Sequence, residues 1–149
     1  MTGKIGRAAL VLAICAAGTV LSGTVAGAAE SSAAPCGPSA AGCIDLRSQQ
    51  AWLMDRGHVT YGPTPITSGK PGYRTPTGQF QVQWKDRNHR SSEFHNAPMP
   101  YSVFFTNTGV AFHEGSLRDA SHGCVHLGHN AAVAFFNKLL VGQVVQVVG

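Results

Sequence analysis

Ala120-Ser121-His122-Gly123-Cys124-Val125-His126-Leu127 places a thiol, a hydroxyl, a glycine and two imidazoles within eight residues. A third imidazole, His113, lies eleven positions before the thiol, at the end of the apolar run Val110-Ala111-Phe112. An imidazole can take a thiol proton, and the thiolate so formed attacks electrophiles. Glycine beside the Cys lets the chain turn tightly and exposes neighbouring N–H groups, which can hold the oxyanion formed at an attacked carbonyl. A Cys on its own is more often a small buried hydrophobe than a nucleophile. The adjoining glycine and the three nearby imidazoles favour a nucleophile at Cys124, with metal binding as the competing reading.

Outward from this stretch the chain reads as short strands with turn signals between them. Trp52-Leu53-Met54 and Val59-Thr60-Tyr61 flank Asp55-Arg56-Gly57-His58, a hairpin turn in which Gly57 supplies positive φ. Ile66-Thr67-Ser68-Gly69 ends another strand, and Lys70 to Gly78 is a loop because its two Pro and two Gly forbid regular structure. Gln79-Phe80-Gln81-Val82-Gln83-Trp84 alternates cleanly and predicts one strand with Phe80, Val82 and Trp84 on one face. Lys85 to Pro100 is long and polar, which predicts either a lid or cleft wall or a solvated loop. Tyr101–Phe105 and Val110–His113 form strands about the turn Thr106-Asn107-Thr108-Gly109. Asn130 to Leu140 predicts a helix whose core face is Val133, Phe136, Leu139 and Leu140, capped by Gly142, and Val144–Val148 closes the chain as a strand. The fold class expected is mainly β with one C-terminal α-helix before the last strand.

The chain has 149 residues, enough for one domain with appendages. Lys4 and Arg7, the apolar segment Ala8 to Leu21 and Ala26-Gly27-Ala28 predict a secretory signal over residues 1–28. A lipoprotein reading of Leu12-Ala13-Ile14-Cys15 fails on the bulk of Ile14. Residues 29–43 are read as a short N-terminal segment and 44–149 as the functional domain. Without the signal the net charge is +2, too weak for a nucleic-acid partner, and no apolar run is long enough for a membrane span. After export three Cys remain. Cys36 and Cys43 flank a Pro- and Gly-bearing loop and are predicted to pair, contributing about 2–3 kcal/mol on the chain-entropy picture. Cys124 is left as the odd thiol.

His113 followed by Ser121-His122-Gly123-Cys124-Val125 resembles the motif of the L,D-transpeptidase catalytic domain, the YkuD family. Gln50-Ala51-Trp52-Leu53-Met54, then Ser68-Gly69 through Thr75-Pro76-Thr77-Gly78-Gln79-Phe80, then Met99-Pro100-Tyr101 resemble further family segments in order. The resemblance covers about Ile44 to Gly149. It implies a bacterial cell-wall enzyme with a β-sandwich or barrel domain, monomeric and without a metal or other cofactor. Its partners would be peptidoglycan stem peptides as acyl donor and amine acceptor, and carbapenems would inhibit it covalently. By this resemblance Cys124 attacks the third stem residue's carbonyl, releases D-Ala, and passes the acyl group to another stem's amine as a 3→3 cross-link. His113 is the general base, backbone amides around Gly123 and Cys124 form the oxyanion site, and Ser121 and His122 shape the loop. His122 could instead orient the thiol, and spacing does not separate these roles. Met99, Tyr101 and His126 are the substrate-binding candidates.

Two positions depart from the family pattern: His126 stands where many relatives carry Arg or Asn, and Asn130 where Asp is common. No glycan-binding or immunoglobulin-like module is read from the sequence, so wall targeting is expected to come from the catalytic domain itself. Other readings are an L,D-carboxypeptidase with water as acceptor, an enzyme linking another amine, a metal site of Cys124, His122, His126 and His129, and a non-catalytic wall-binding domain.

Overall fold

Apolar residues at alternate or consecutive positions build the body of the computed structural model, which describes Gly3 and residues 33–149. The signal segment expected at 1–28 lies outside the described residues. In chain order the elements are β1 (Ala40–Asp45), β2 (Gln50–Asp55), β3 (His58–Thr67), β4 (Gly78–Gln81), β5 (Trp84–Arg90), β6 (Pro98–Phe104), β7 (Ala111–Glu114), β8 (Val125–Leu127), α1 (His129–Lys138) and β9 (Val144–Val148). The strands form one curled sheet in the order β4-β9-β1-β2-β3-β8-β7-β6-β5. Two pairs, β1 with β9 and β7 with β8, are parallel, and the others are antiparallel.

The β2–β3 hairpin turns on Arg56 and Gly57, both at positive φ (47° and 84°), the geometry that matches the strands' right-handed twist. β3 is ten residues long and pairs with β2 from His58 to Pro65 and with β8 at Ile66 and Thr67, so it joins the two halves of the sheet. Strand β1 begins at Ala40, four residues before the boundary expected at Ile44, and lies between β9 and β2. Cys36 and Cys43 are joined by a disulfide, and Cys43 is fully buried beside Trp52.

The single strand expected over 79–84 is instead a crossing between the two ends of the sheet. β4 pairs with β9, while β5 pairs with β6 at the far end of the strand order. Val82 stays with the first end, donating to Gln143 O (2.9 Å) and accepting from Gly142 N–H (2.8 Å). Gln83 has already changed partner and donates to Phe104 O (2.7 Å). Phe80 and Val82 still pack inward, but Trp84 is 44% exposed and stacks on Phe104 at 3.8 Å. Alternation records which way side chains point along a strand; it does not record which partner the backbone has.

Two other expectations change. Lys85 to Pro100 is mostly the β5–β6 hairpin, and only residues 91–97 remain as loop. β5 has a strand partner on one side only, so Lys85, Asp86, Arg87 and Arg90 can stand on it without an apolar face to betray a strand. Helix α1 buries Ala131, Ala132 and Phe135; of the expected face, the C-cap Leu139 is buried and Phe136 packs half-buried against the core, whereas Val133 is half-buried and Leu140 exposed. The helix is apolar around much of its girth, so small alanines could be overlooked as its core face. Gly142 (φ 88°) lies three residues beyond the C-cap Leu139, in the turn into β9. The helix's last carbonyls are met by Lys85, whose Nζ donates to Phe136 O (2.6 Å) and Leu139 O (2.8 Å). Burial, and secondarily the Arg87 charge, lowers the Lys85 pKa. Phe135 and Phe112 (4.9 Å between ring centres) anchor α1 to the sheet beneath β7.

Candidate active site

His113 on β7 sits opposite His126 on β8 in the parallel register, and Cys124 immediately precedes β8. Cys124, His113 and His126 all line one cavity of about 530 Å³. His113 is only 6% exposed. Its Nδ1 lies 2.8 Å from Glu114 O. A carbonyl oxygen only accepts, so Nδ1 carries the hydrogen and the lone pair is on Nε2. Burial pushes the His113 pKa down to about 4; the Glu114 bond acts in the opposite sense, and nearby His126 and His89 lower it further. Burial also raises the Cys124 thiol, a backbone hydrogen bond with Ala111 opposes this, and the Glu93 charge adds to the rise. At neutral pH the resting pair is therefore a thiol and a neutral imidazole. A thiolate at Cys124 would therefore have to form by transfer of the thiol proton to an acceptor such as a neutral imidazole.

The loop before Cys124 is tied down from within and from behind. Ser121 Oγ accepts from Gly123 N–H (2.9 Å) and donates to Cys124 O (2.5 Å). Its backbone joins the preceding loop through Ser121 N–H to Ser68 O and Lys70 N–H to Ser121 O, each 3.0 Å. Thr75, 4% exposed, accepts from Gly69 N–H (3.0 Å) and donates to Gly123 O (2.7 Å). Gly69 has to be glycine because an added Cβ would fall 1.9 Å from Tyr73 O. Gly123 has φ +122°, which disfavours any side chain there. Its N–H is taken by Ser121, so the oxyanion donors expected from both Gly123 and Cys124 reduce to Cys124 in this pair. Cys124 N–H has no hydrogen-bond acceptor among the described residues.

His122 is exposed and packed between aromatic rings, with Tyr73 and Phe94 each 4.7 Å away by ring centres. It makes no side-chain hydrogen bond among the described residues. Of the two imidazoles left open as base, His113 is the buried one with a fixed tautomer. His126 Nδ1 lies 3.0 Å from Ser116 O and 3.1 Å from Thr67 Oγ1, and its ring lies edge-to-face on His113 at 4.8 Å. A Cβ on Gly115 would meet the His126 ring at 2.7 Å, so Gly115 makes room for this imidazole.

Met99 lines the cavity, whereas Tyr101 does not. Tyr101 has φ +57°, and its ring packs with His129 (5.7 Å) and Phe136 (5.9 Å), with Arg87 above it. The unusual backbone turns it away from the cleft expected for it. A cluster not read from the sequence takes the floor: Trp84 stacked on Phe104, with His89 edge-on to both (5.3 and 5.0 Å). Its signal was Trp84, which the alternation placed on one face with Phe80 and Val82. His129 pairs with Glu114 at 2.9 Å. The four residues of the metal reading thus face different partners, and among the described residues no three His, Cys, Asp or Glu side chains are grouped to hold a metal ion.

A curled, mainly β sheet with a thiol and a buried imidazole brought to one cavity by adjacent parallel strands defines a thiol–imidazole protein. The chain belongs to the L,D-transpeptidase catalytic domain family (YkuD), which matches residues 39–147. It is 29% identical over 120 residues to L,D-transpeptidase 1 of Mycobacterium tuberculosis, covering 68% of this chain and 48% of the relative. The crystal structure of an L,D-transpeptidase from Stackebrandtia nassauensis superimposes with a TM-score of 0.68 at 30% identity, over 72% of this chain and 54% of that one. The structure of the L,D-transpeptidase LdtMt1 in complex with imipenem gives 0.65 at 26% identity, over 70% and 56%. This chain spans about half the length of the relatives it matches.

Proposed function

We propose that this protein is an exported, cysteine-dependent L,D-transpeptidase that forms 3→3 cross-links in peptidoglycan. The observation that carries the reading is the shared cavity of Cys124 and His113, the latter buried in a single tautomer with Nε2 unprotonated. Cys124 Sγ attacks the carbonyl of the third stem residue while the thiol proton passes to His113 Nε2. The tetrahedral intermediate collapses, the C–N bond to D-Ala breaks, and the His113 proton leaves on the D-Ala amine. The acceptor stem's side-chain amine then attacks the thioester, its proton goes to His113, and Cys124 leaves as the thiol. The leader expected at 1–28 and the Cys36–Cys43 disulfide support an oxidising compartment outside the cytoplasmic membrane and work at the cell wall.

The test is intact-mass analysis of the protein after exposure to a carbapenem, with Cys124→Ala alongside, followed by incubation with tetrapeptide stems. One adduct per chain in the unmutated protein and none in Cys124→Ala is expected. The stems should yield a cross-linked dimer and free D-Ala, slowed about 10²–10⁴-fold in His113→Ala. Tripeptide alone would assign water as the acceptor and make the protein an L,D-carboxypeptidase. Turnover retained in Cys124→Ala would sink both.

A further inference from the structure

We propose that Thr75 is a positioning residue for acyl transfer: its buried hydroxyl turns the Gly123–Cys124 peptide so that Cys124 N–H faces the cavity as the oxyanion donor. The proposal rests on the reading of Cys124 as the nucleophile and adds a residue that neither the His–Cys pairing nor the loop sequence accounts for.

Thr75 belongs to the Thr-Pro-x-Gly string, more than forty positions before the nucleophile, and lines no part of the cavity. It is 4% exposed, yet its single hydroxyl is fully used. The oxygen accepts from Gly69 N–H at 3.0 Å, and the hydrogen goes to Gly123 O at 2.7 Å. The Gly69 bond consumes an acceptor lone pair and leaves the hydroxyl hydrogen directed at Gly123. The 69–75 loop holds Thr75 there by close backbone packing, since Gly69 has Tyr73 O where a Cβ would stand.

Gly123 O belongs to the same planar unit as Cys124 N–H. That unit is trans, because the one cis peptide among the described residues is Gly62–Pro63. In a trans peptide C=O and N–H point in opposite directions. Drawing the carbonyl back onto Thr75 therefore sends the Cys124 N–H to the other side, where the cavity lies. Glycine at 123 leaves this peptide free to rotate, so something has to hold it. Ser121 fixes the planes on either side, through Gly123 N–H and Cys124 O, but touches neither polar atom of the plane between them. Thr75 supplies that missing restraint.

The experiment compares two reagents on the same thiol. p-Nitrophenyl acetate acylates sulfur through a tetrahedral oxyanion, whereas iodoacetamide alkylates it by displacement at carbon, with no oxyanion. Thr75→Val keeps the shape and removes the hydroxyl; Thr75→Ser keeps the hydroxyl. Expected is an acylation rate about 10–100-fold lower in Thr75→Val, below the full loss of one oxyanion donor. Alkylation should stay within about twofold, and Thr75→Ser should recover most of the acylation rate. Equal loss with both reagents would assign Thr75 to holding the thiol, and no loss with either would leave it a loop residue; both overturn the proposal. Should Thr75→Val fail to fold, the amide proton of Cys124 in the unmutated protein decides, because it should move downfield in the S-acetyl form and an unmoved signal overturns the proposal. A protein showing this two-reagent pattern while transferring no stem peptide would break the cell-wall reading and leave the role of Thr75 intact.

Discussion

The two walls of the cleft are held in different ways. On the nucleophile side, residues 68–75 and 121–124 are laced to each other by main-chain and hydroxyl hydrogen bonds that cross between the segments. On the opposite side the tip of the β5–β6 hairpin bonds to itself: Ser91 N–H to Ala97 O, Asn96 N–H to Ser91 O, Ala97 N–H to Phe94 O, and Arg90 to Asn96 O. It meets the far wall through the ring of Phe94 against His122. Chemistry needs its groups fixed to a fraction of an ångström, while a wall that receives a substrate gains from being adjustable. The molecule spends cross-linking hydrogen bonds on the first wall and an aromatic contact on the second.

Three measurements break or sharpen this contrast. Gly69→Ala should have the largest effect. Its Cβ would meet Tyr73 O, Thr75 N and Arg74 C at 1.9, 2.7 and 2.9 Å, all main-chain atoms that cannot swing aside. A loss of about 3 kcal/mol in denaturant unfolding is expected, at the upper end for overpacking, together with loss of thiol acylation. Gly72→Ala is the control: it lies in the same loop with open space around it and only its φ of +85° to strain it, so about 1–2 kcal/mol is expected. Equal costs for the two would show that the wall yields.

The second is a pH series. His113 drops from an ordinary value of 6.5 to about 4 on folding, so between those values the unfolded chain binds a proton the folded one refuses. Stability attributable to this group is complete above pH 6.5 and falls as pH decreases toward 4, by about 3 kcal/mol in all. His113→Gln, which cannot take up the proton, should flatten this part of the pH–stability curve. An unchanged slope would mean that the imidazole is not refused a proton by burial. The smallest effect belongs to Phe94→Ala. With the ring 42% exposed at a self-bonded tip, stability should change by no more than about 0.5 kcal/mol. Iodoacetamide reactivity should rise no more than about threefold as the tip loosens; a large loss of stability would make the two walls equivalent.

Where the sequence spoke through turn chemistry or through a reactive group, it could be read. The Asp55-Arg56-Gly57-His58 turn needs positive φ and announces its hairpin, and the grouping of Cys124 with His113 points to one cavity because each stands at the end of a strand. What could not be read depends on contacts made far along the chain. Alternation through Gln79–Trp84 says nothing about a change of partner between Val82 and Gln83, and the charges of β5 hide a strand that has a neighbour on one side only. Tyr101 reads as a cleft residue until its backbone, at φ +57°, turns it toward α1. Thr75 is legible only as part of the Thr-Pro-x-Gly string, because its part is set by where Gly123 O comes to lie in three dimensions.

The step at Val82–Gln83 has a consequence beyond shape. A sheet of nine strands ordinarily has two bare margins, each able to recruit a strand from a neighbouring molecule and begin aggregation. Here the chain passes straight from one margin to the other, Val82 bonded to Gln143 and Gln83 to Phe104. The polypeptide itself thus ties the two margins together at Val82–Gln83, so they cannot separate without breaking the bonds to Gln143 or Phe104.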